Sequence, residues 1–453
     1  MMHKLGVIII SWCLWLPAQA KVAEYQLENG MQIVVLENHR APVVAHQVWY
    51  RVGSNYEPGG LTGISHMLEH MMFKDTTTLK TGEFSKRVSQ MGGEQNAFTS
   101  SDVTAYYQII GKQHLEAVMA LEADRMRNMI VKDDEFFKER DVVAEERRWR
   151  TDDKPGSILY EQFMAAAFVN SPQHSPTVGW MTDIQHYQPQ DVRDWYQKWY
   201  APNNAILVVV GDVEPKQVLA LAQKYYGPLK PETIQPPKPQ IEIPQVGERR
   251  ITIKGATKEP SMIMGFHVPS LLTAEQPEEV YALSVLSSVL DGDDSARLTQ
   301  LIRGSQVATS VGAGYDETSR LSTLFLFNGS PATGHTLKDL EASIWQAIQK
   351  LQDEPISASE LERVLAQSEA QYVFHQDSLE SQAMVLGSLV TKGLPADTFE
   401  HWIENLRKVT PTQVQAVAKK YFSPDVVTVG ELLPNGQEAK AGANQITMGG
   451  SVH

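Results

Sequence analysis

The sequence predicts an α+β chain of two homologous domains, and three observations carry that expectation. Its 453 residues exceed the size at which one hydrophobic core keeps growing, so two or more domains are expected. Short runs of β-branched and aromatic residues alternate with stretches of helical periodicity. A proline-rich segment, 228–247, separates two stretches that finish alike, each in a helix, an Ala-Pro or Ser-Pro turn and a strand.

Taken in chain order, residues 1–20 read as an export signal. His3 and Lys4 begin it, an apolar run over 5–16 follows, and Ala18-Gln19-Ala20 supplies the small-residue cleavage pattern. The apolar run is well short of the roughly 20 residues that span a bilayer, which favours a cleaved signal over an anchor. The expected address is the periplasm, with secretion as the alternative. Cys13, the single cysteine, lies inside this segment. The mature chain therefore has no disulfide, and any metal it holds must be bound by His and carboxylate ligands.

Strands are expected at 33–36, 43–50 and 104–110, a helix over 63–73, and a long helical stretch from 115 to about 150. The buried-looking strand 205–211 closes the N-terminal domain, assigned to 21–227. After the linker, a C-terminal domain occupies 248–434 and a loose tail 435–453. An internal repeat supports the division. Pro189-Gln190-Asp191-Val192, Lys198-Trp199-Tyr200, Pro202 and Val208-Val209-Val210-Gly211-Asp212 have counterparts in Pro411-Thr412-Gln413-Val414, Lys420-Tyr421-Phe422, Pro424 and Val427-Thr428-Val429-Gly430-Glu431.

Composition narrows the function classes. With 42% hydrophobic and 21% charged residues the chain is globular rather than disordered. A net charge of −14 repels phosphate backbones and argues against nucleic acid as a partner.

The chemistry centres on Gly63-Ile64-Ser65-His66-Met67-Leu68-Glu69-His70. Two histidines at i and i+4 of a helix share one face and form a bidentate metal clamp. Glu69 lies beside the clamp, where a carboxylate can take a proton from water activated by the metal. This is the HxxEH arrangement, the inversion of HExxH. Composition gives about 0.04 such patterns per chain by chance. Catalytic zinc takes three protein ligands, and the acidic stretch 134–148 offers Glu135, Glu139, Glu145 and Glu146. Spacing alone does not choose among them.

The His66–His70 motif, this Glu-rich stretch and Asn96-Ala97-Phe98-Thr99 together closely resemble the pitrilysin (insulinase) family of zinc metallopeptidases, in particular its zinc-bearing processing-peptidase subunits. The resemblance covers nearly the whole mature chain. It implies two antiparallel-rich sheets packed with helices, one Zn2+ per chain, and an inactive C-terminal domain. It places the third zinc ligand at Glu146, with Glu145 as the rival, and makes Glu139 a group that orients the site. It also implies that Asn96, Ala97 and Phe98 contact a peptide added as an extra strand.

One departure stands out. The family's arginine and tyrosine in the second domain fall on Ile302 and Thr309 here, and Arg303 is one residue out of register. This points to a zinc-bearing half whose homologous partner subunit supplies substrate contacts, with a homodimer as the alternative. The competing function class is a non-catalytic assembly subunit of the same fold; the complete zinc motif argues against it.

Overall fold

The computed structural model describes residues 22–375 and 377–437. The expected export signal with Cys13, and positions 438–453 of the expected tail, lie outside the described residues.

The first half builds a six-stranded sheet from β1 (Val22–Gln26), β2 (Gln32–Glu37), β3 (Val43–Tyr50), β4 (Glu94–Thr99), β5 (Thr104–Gly111) and β6 (Ala205–Gly211). Their order is β1-β2-β6-β3-β5-β4, and only β2 and β6 run parallel. The second half builds five strands: β7 (Arg249–Gly255), β8 (Ser261–Val268), β9 (Ala308–Gly314), β10 (Thr323–Pro331) and β11 (Val427–Pro434). Their order is β7-β11-β8-β10-β9, with only β7 and β11 parallel. Apart from β1, the two orders and polarities coincide. The repeated segments also coincide, as helices Pro189–Trp199 and Pro411–Tyr421, single 3-10 turns, then β6 and β11. The halves are two copies of one fold.

The central strands read as continuous apolar runs because both faces of each sheet are covered. Every residue of β6 is buried. On one face of the first sheet lie α1 (Ile64–Met71), α2 (Glu83–Gln90) and α3 (Leu115–Asn128), and α4 (Asp133–Arg147) packs on α1. The opposite face is covered by a helix of the second half, Leu379–Lys392, whose Ala383, Leu386 and Val390 meet Val34, Ala45, Trp49, Ile206, Val208 and Val210. The exchange is reciprocal. From the first half, α5 (Pro155–Ala167) lays Leu159, Phe163 and Ala167 on Ile263, Leu324 and Leu432 of the second sheet.

Each exchanged helix needs a glycine where it meets its sheet. A Cβ on Gly387 would lie 2.1 Å from the Trp49 ring, and one on Gly265 would lie 2.7 Å from Phe163. Burial of Leu386 and Val390 against the foreign sheet is worth about 1.5–3 kcal/mol each. The halves are therefore fastened by core packing as well as by the linker. The segment 228–247 has neither helix nor strand. It is pinned at Glu242, whose carboxylate accepts the backbone N–H groups of Val169, Asn170 and Ser171.

One expected element is corrected. The single helical stretch from 115 to about 150 is two helices, broken at 129–132. There Met129 bridges to Thr76 and donates its N–H to Tyr196 Oη at 3.1 Å, and Ile130 N–H goes to Asp75. Tertiary partners take the donors that would have continued the helix. The chain restarts with Asp133, Asp134 and Glu135 in the first turn of α4, where negative charge complements the helix N-terminus.

Candidate active site

Helix α1 is only eight residues long, so its position depends on its start and its packing. Ile64, Met67, Leu68 and Met71 anchor it in the first core. The Glu57 carboxylate accepts the N–H groups of Gly63 at 2.5 Å and Ser65 at 2.9 Å, satisfying donors that a helix start leaves open. His66 and His70 then lie one turn apart, with ring centroids 4.7 Å from each other.

Helix α4 brings the carboxylates. Glu139 and Glu146 are seven residues apart and so share a face. Glu146 Oε1 lies 3.6 Å from His66 Nε2, and its Oε2 lies 3.1 Å from His70 Nε2. His66, His70 and Glu146 each offer a ligand atom, all within 4.8 Å of one another, the one such His/Cys/Asp/Glu group among the described residues. Donors around a tetrahedral zinc with bonds of about 2.0–2.1 Å stand about 3.4 Å apart, so the triad fits one ion. Glu139 Oε1 is 3.0 Å from His70 Nδ1, the nitrogen facing away from the triad, and Lys74 pairs with its other oxygen. A carboxylate behind a ligating imidazole fixes its tautomer and ring orientation. Arg150 Nε supports Glu146 at 2.7 Å.

The electrostatics favour a cation. Burial works against charge on His70, but Glu139 and Glu146 outweigh it and push the imidazole up to about 9. Burial drives His66 down. Burial also opposes the Glu146 carboxylate, yet the two imidazoles hold its carboxyl well below the usual range. With carboxylates facing both ring nitrogens of His70, the pocket concentrates negative charge where a divalent ion would sit.

Glu69, 3% exposed, is not needed to complete the triad. Its Oε2 accepts the hydroxyl of Thr99 on β4 at 2.5 Å. Glu145, the rival ligand, is 73% exposed and pairs with Arg148 on the outside of α4.

Residues 94–99 form the edge strand of the first sheet. The turn bond from Ser100 N–H to Val103 C=O sets the phase of the β4–β5 ladder. Phe98 and Asn96 then occupy the hydrogen-bonded positions opposite Ala105 and Tyr107, so Gln95, Ala97 and Thr99 direct their backbone groups to the open edge. Of the three expected contacts, Ala97 presents its backbone there, and Asn96 Oδ1 accepts its N–H at 2.9 Å. Phe98 packs edge-on against Trp49, 5.3 Å between centroids. The sequence reading missed the Thr99–Glu69 contact; strand alternation, which puts Thr99 on the same face as Ala97, was the available signal. In the second half, Arg303 is 58% exposed and pairs with Asp294, Ile302 packs on the second core, and Thr309 Oγ1 bonds Ser330 O.

Comparison with known proteins fits this geometry. The family model described as Insulinase (Peptidase family M16) matches residues 32–179, and that of the Peptidase M16 inactive domain matches 186–368. The zinc protease PqqE of Helicobacter pylori is 34% identical over 393 residues, 84% of this chain and 86% of the relative. The Bacillus subtilis "Uncharacterized zinc protease YmxG" is 26% identical over 89% of this chain and 96% of its own length. Among solved structures, a Helicobacter pylori protease superposes with TM-score 0.86 at 31% identity, covering 92% of this chain and all of that one. The first half of the periplasmic protease PqqL from Escherichia coli shares the fold, with TM-score 0.77 at 21% identity over 92% of this chain and 93% of that one. Matched by both family models and 34% identical to a zinc protease along most of its length, this chain belongs to the insulinase or pitrilysin family, peptidase family M16.

Proposed function

We propose that this chain is an exported zinc endopeptidase that hydrolyses peptides or small unfolded proteins, with His66, His70 and Glu146 holding one zinc ion and Glu69 as general base. The observation that carries the reading is the convergence of two imidazoles and one carboxylate beside a buried carboxylate that the metal does not need. Zinc held there supplies Lewis acidity, polarising a peptide carbonyl and lowering the pKa of water to about 7. Glu69 takes a proton from the attacking water as the C–O bond forms and delivers it to the amide nitrogen as the C–N bond breaks. Glu139 keeps His70 in one tautomer. An extended substrate adds to the open edge of β4, where Gln95, Ala97 and Thr99 offer backbone partners and side chains around Asn96 set preference.

Export rests on the first twenty residues. It agrees with the periplasmic Escherichia coli relative, and among the described residues no helix is long and apolar enough to cross a membrane. The chain matches 48% of the complete PqqL polypeptide, at 19% identity. That length ratio, with Arg303 engaged at the surface, supports a working unit of two halves in which a homologous partner or a second copy adds substrate contacts.

The test is cleavage of a quenched peptide library by the purified mature chain at known zinc content. Activity abolished by a chelator and restored by zinc is the expected result. Activity that appears only with a partner subunit would establish a divided site. No cleavage by chain or complex at one zinc per chain would contradict the reading.

A further inference from the structure

The duplicated halves touch through equivalent turns. In the first half residues 100–103 join edge strand β4 to β5, and in the second residues 315–322 join edge strand β9 to β10. Arg320 in the second turn donates from Nε to Asp102 Oδ1 in the first at 2.7 Å. The same oxygen accepts Asn55 Nδ2 at 2.9 Å. Asp102 and Asn55 are buried, so without the guanidinium a carboxylate would be left nearly enclosed with only a neutral donor. Arg320 also stacks over Tyr56, 4.8 Å from the ring centroid. Lys392, on the helix that covers the first sheet, holds the same turn through Thr318 Oγ1 at 3.0 Å.

Both segments that Arg320 grips lead directly into the site. Asp102 lies three residues beyond Thr99, whose hydroxyl meets Glu69. Tyr56 precedes Glu57, whose carboxylate holds the first N–H groups of α1. The two segments are strapped together, since Ser54 N–H goes to Ser100 O and Asn55 N–H to Ser101 O.

We propose that Arg320 is a positioning residue supplied by the inactive half, which locks the β4–β5 turn and so holds the Thr99 hydroxyl against Glu69. The inference rests on Glu69 acting as general base. It predicts that the second half tunes the catalytic step without touching zinc.

The test uses the full chain with Arg320→Met, which keeps an unbranched stem over Tyr56, together with Thr99→Val, Thr99→Ser and the Arg320→Met/Thr99→Val double variant. Because small misplacement of a reacting group is costly, Thr99→Val should lower kcat about tenfold and Arg320→Met about threefold to tenfold. KM and zinc content should stay as in the parent, Thr99→Ser should retain most of kcat, and the double variant should be no slower than Thr99→Val. Parental kcat in Arg320→Met, losses that multiply in the double variant, or Thr99→Ser as slow as Thr99→Val would each overturn the proposal. A thermal-unfolding cycle of Arg320→Met against Asp102→Asn reads the latch without activity. If the parent cleaves no peptide, the proposed function falls while this cycle still decides the latch: coupled shifts in Tm support it and additive shifts overturn it.

Discussion

Replacing Glu139 by Gln tests how the site holds its metal. Glu139 Oε1 lies 3.0 Å from His70 Nδ1, and its other oxygen pairs with Lys74. Glutamine preserves shape and can still accept from Nδ1–H, so His70 keeps its orientation. What goes is the negative charge that raises the basicity of the imidazole and offsets Lys74. Loss of such an outer partner weakens metal binding about tenfold to a hundredfold, or about 1.4–2.7 kcal/mol. Competition with a chelator of known zinc affinity measures this directly. Glu145→Gln is the control, because that side chain is 73% exposed on the outer surface of α4 and should bind zinc as the parent does. Parental zinc affinity in Glu139→Gln would refute the role given to Glu139, and a loss in Glu145→Gln of the size expected for a ligand would refute the choice of Glu146.

Two further outcomes concern the frame around the site. Gly387→Ala should lower Tm, because the new methyl would meet the buried Trp49 ring at 2.1 Å, and overpacking of about 1–3 kcal/mol exceeds the roughly 1 kcal/mol gained from helix propensity; a higher Tm would contradict the packing. Burial opposes ionisation of Glu360, but Arg297 and the Ser357 N–H overcome it and hold its carboxyl at about 2, below the ordinary 4.5. A depressed carboxyl contributes stability that is present above 4.5 and lost as pH falls through 2. After discounting for solvent screening at this partly exposed site, Glu360→Gln should cost about 1 kcal/mol at neutral pH, with the gap narrowing from about pH 5 down to about pH 2 in denaturant unfolding. A gap independent of pH would refute it.

Much of this was legible in the sequence because it is written locally. The runs at 33–36, 43–50 and 205–211 have a composition that only strands buried on both faces require. The clamp of His66 and His70 follows from helix periodicity alone. Other features depend on partners far along the chain. The apolar positions of Leu379–Lys392 read as an amphipathic helix whichever sheet it covers, so the exchange of helices between halves is invisible until Trp49 and Gly387 meet. The break at 129–132 comes from Tyr196 and Asp75, not from any local breaker. Glu145 and Glu146 differ by about 100° around one helix, and only the placement of α4 against α1 separates the carboxylate that faces His66 and His70 from a surface charge. Arg320 carries no motif; its meaning lies in the turn that it reaches.

The central claim is that Glu69 moves the proton while three other side chains hold the metal, and the most direct measurement compares parent and Glu69→Gln at equal zinc content on one quenched peptide. The account predicts one zinc per chain in both and a fall in kcat of about a hundredfold to ten-thousandfold in the variant. Activity retained at the parental rate, or zinc lost along with the carboxylate, would contradict it.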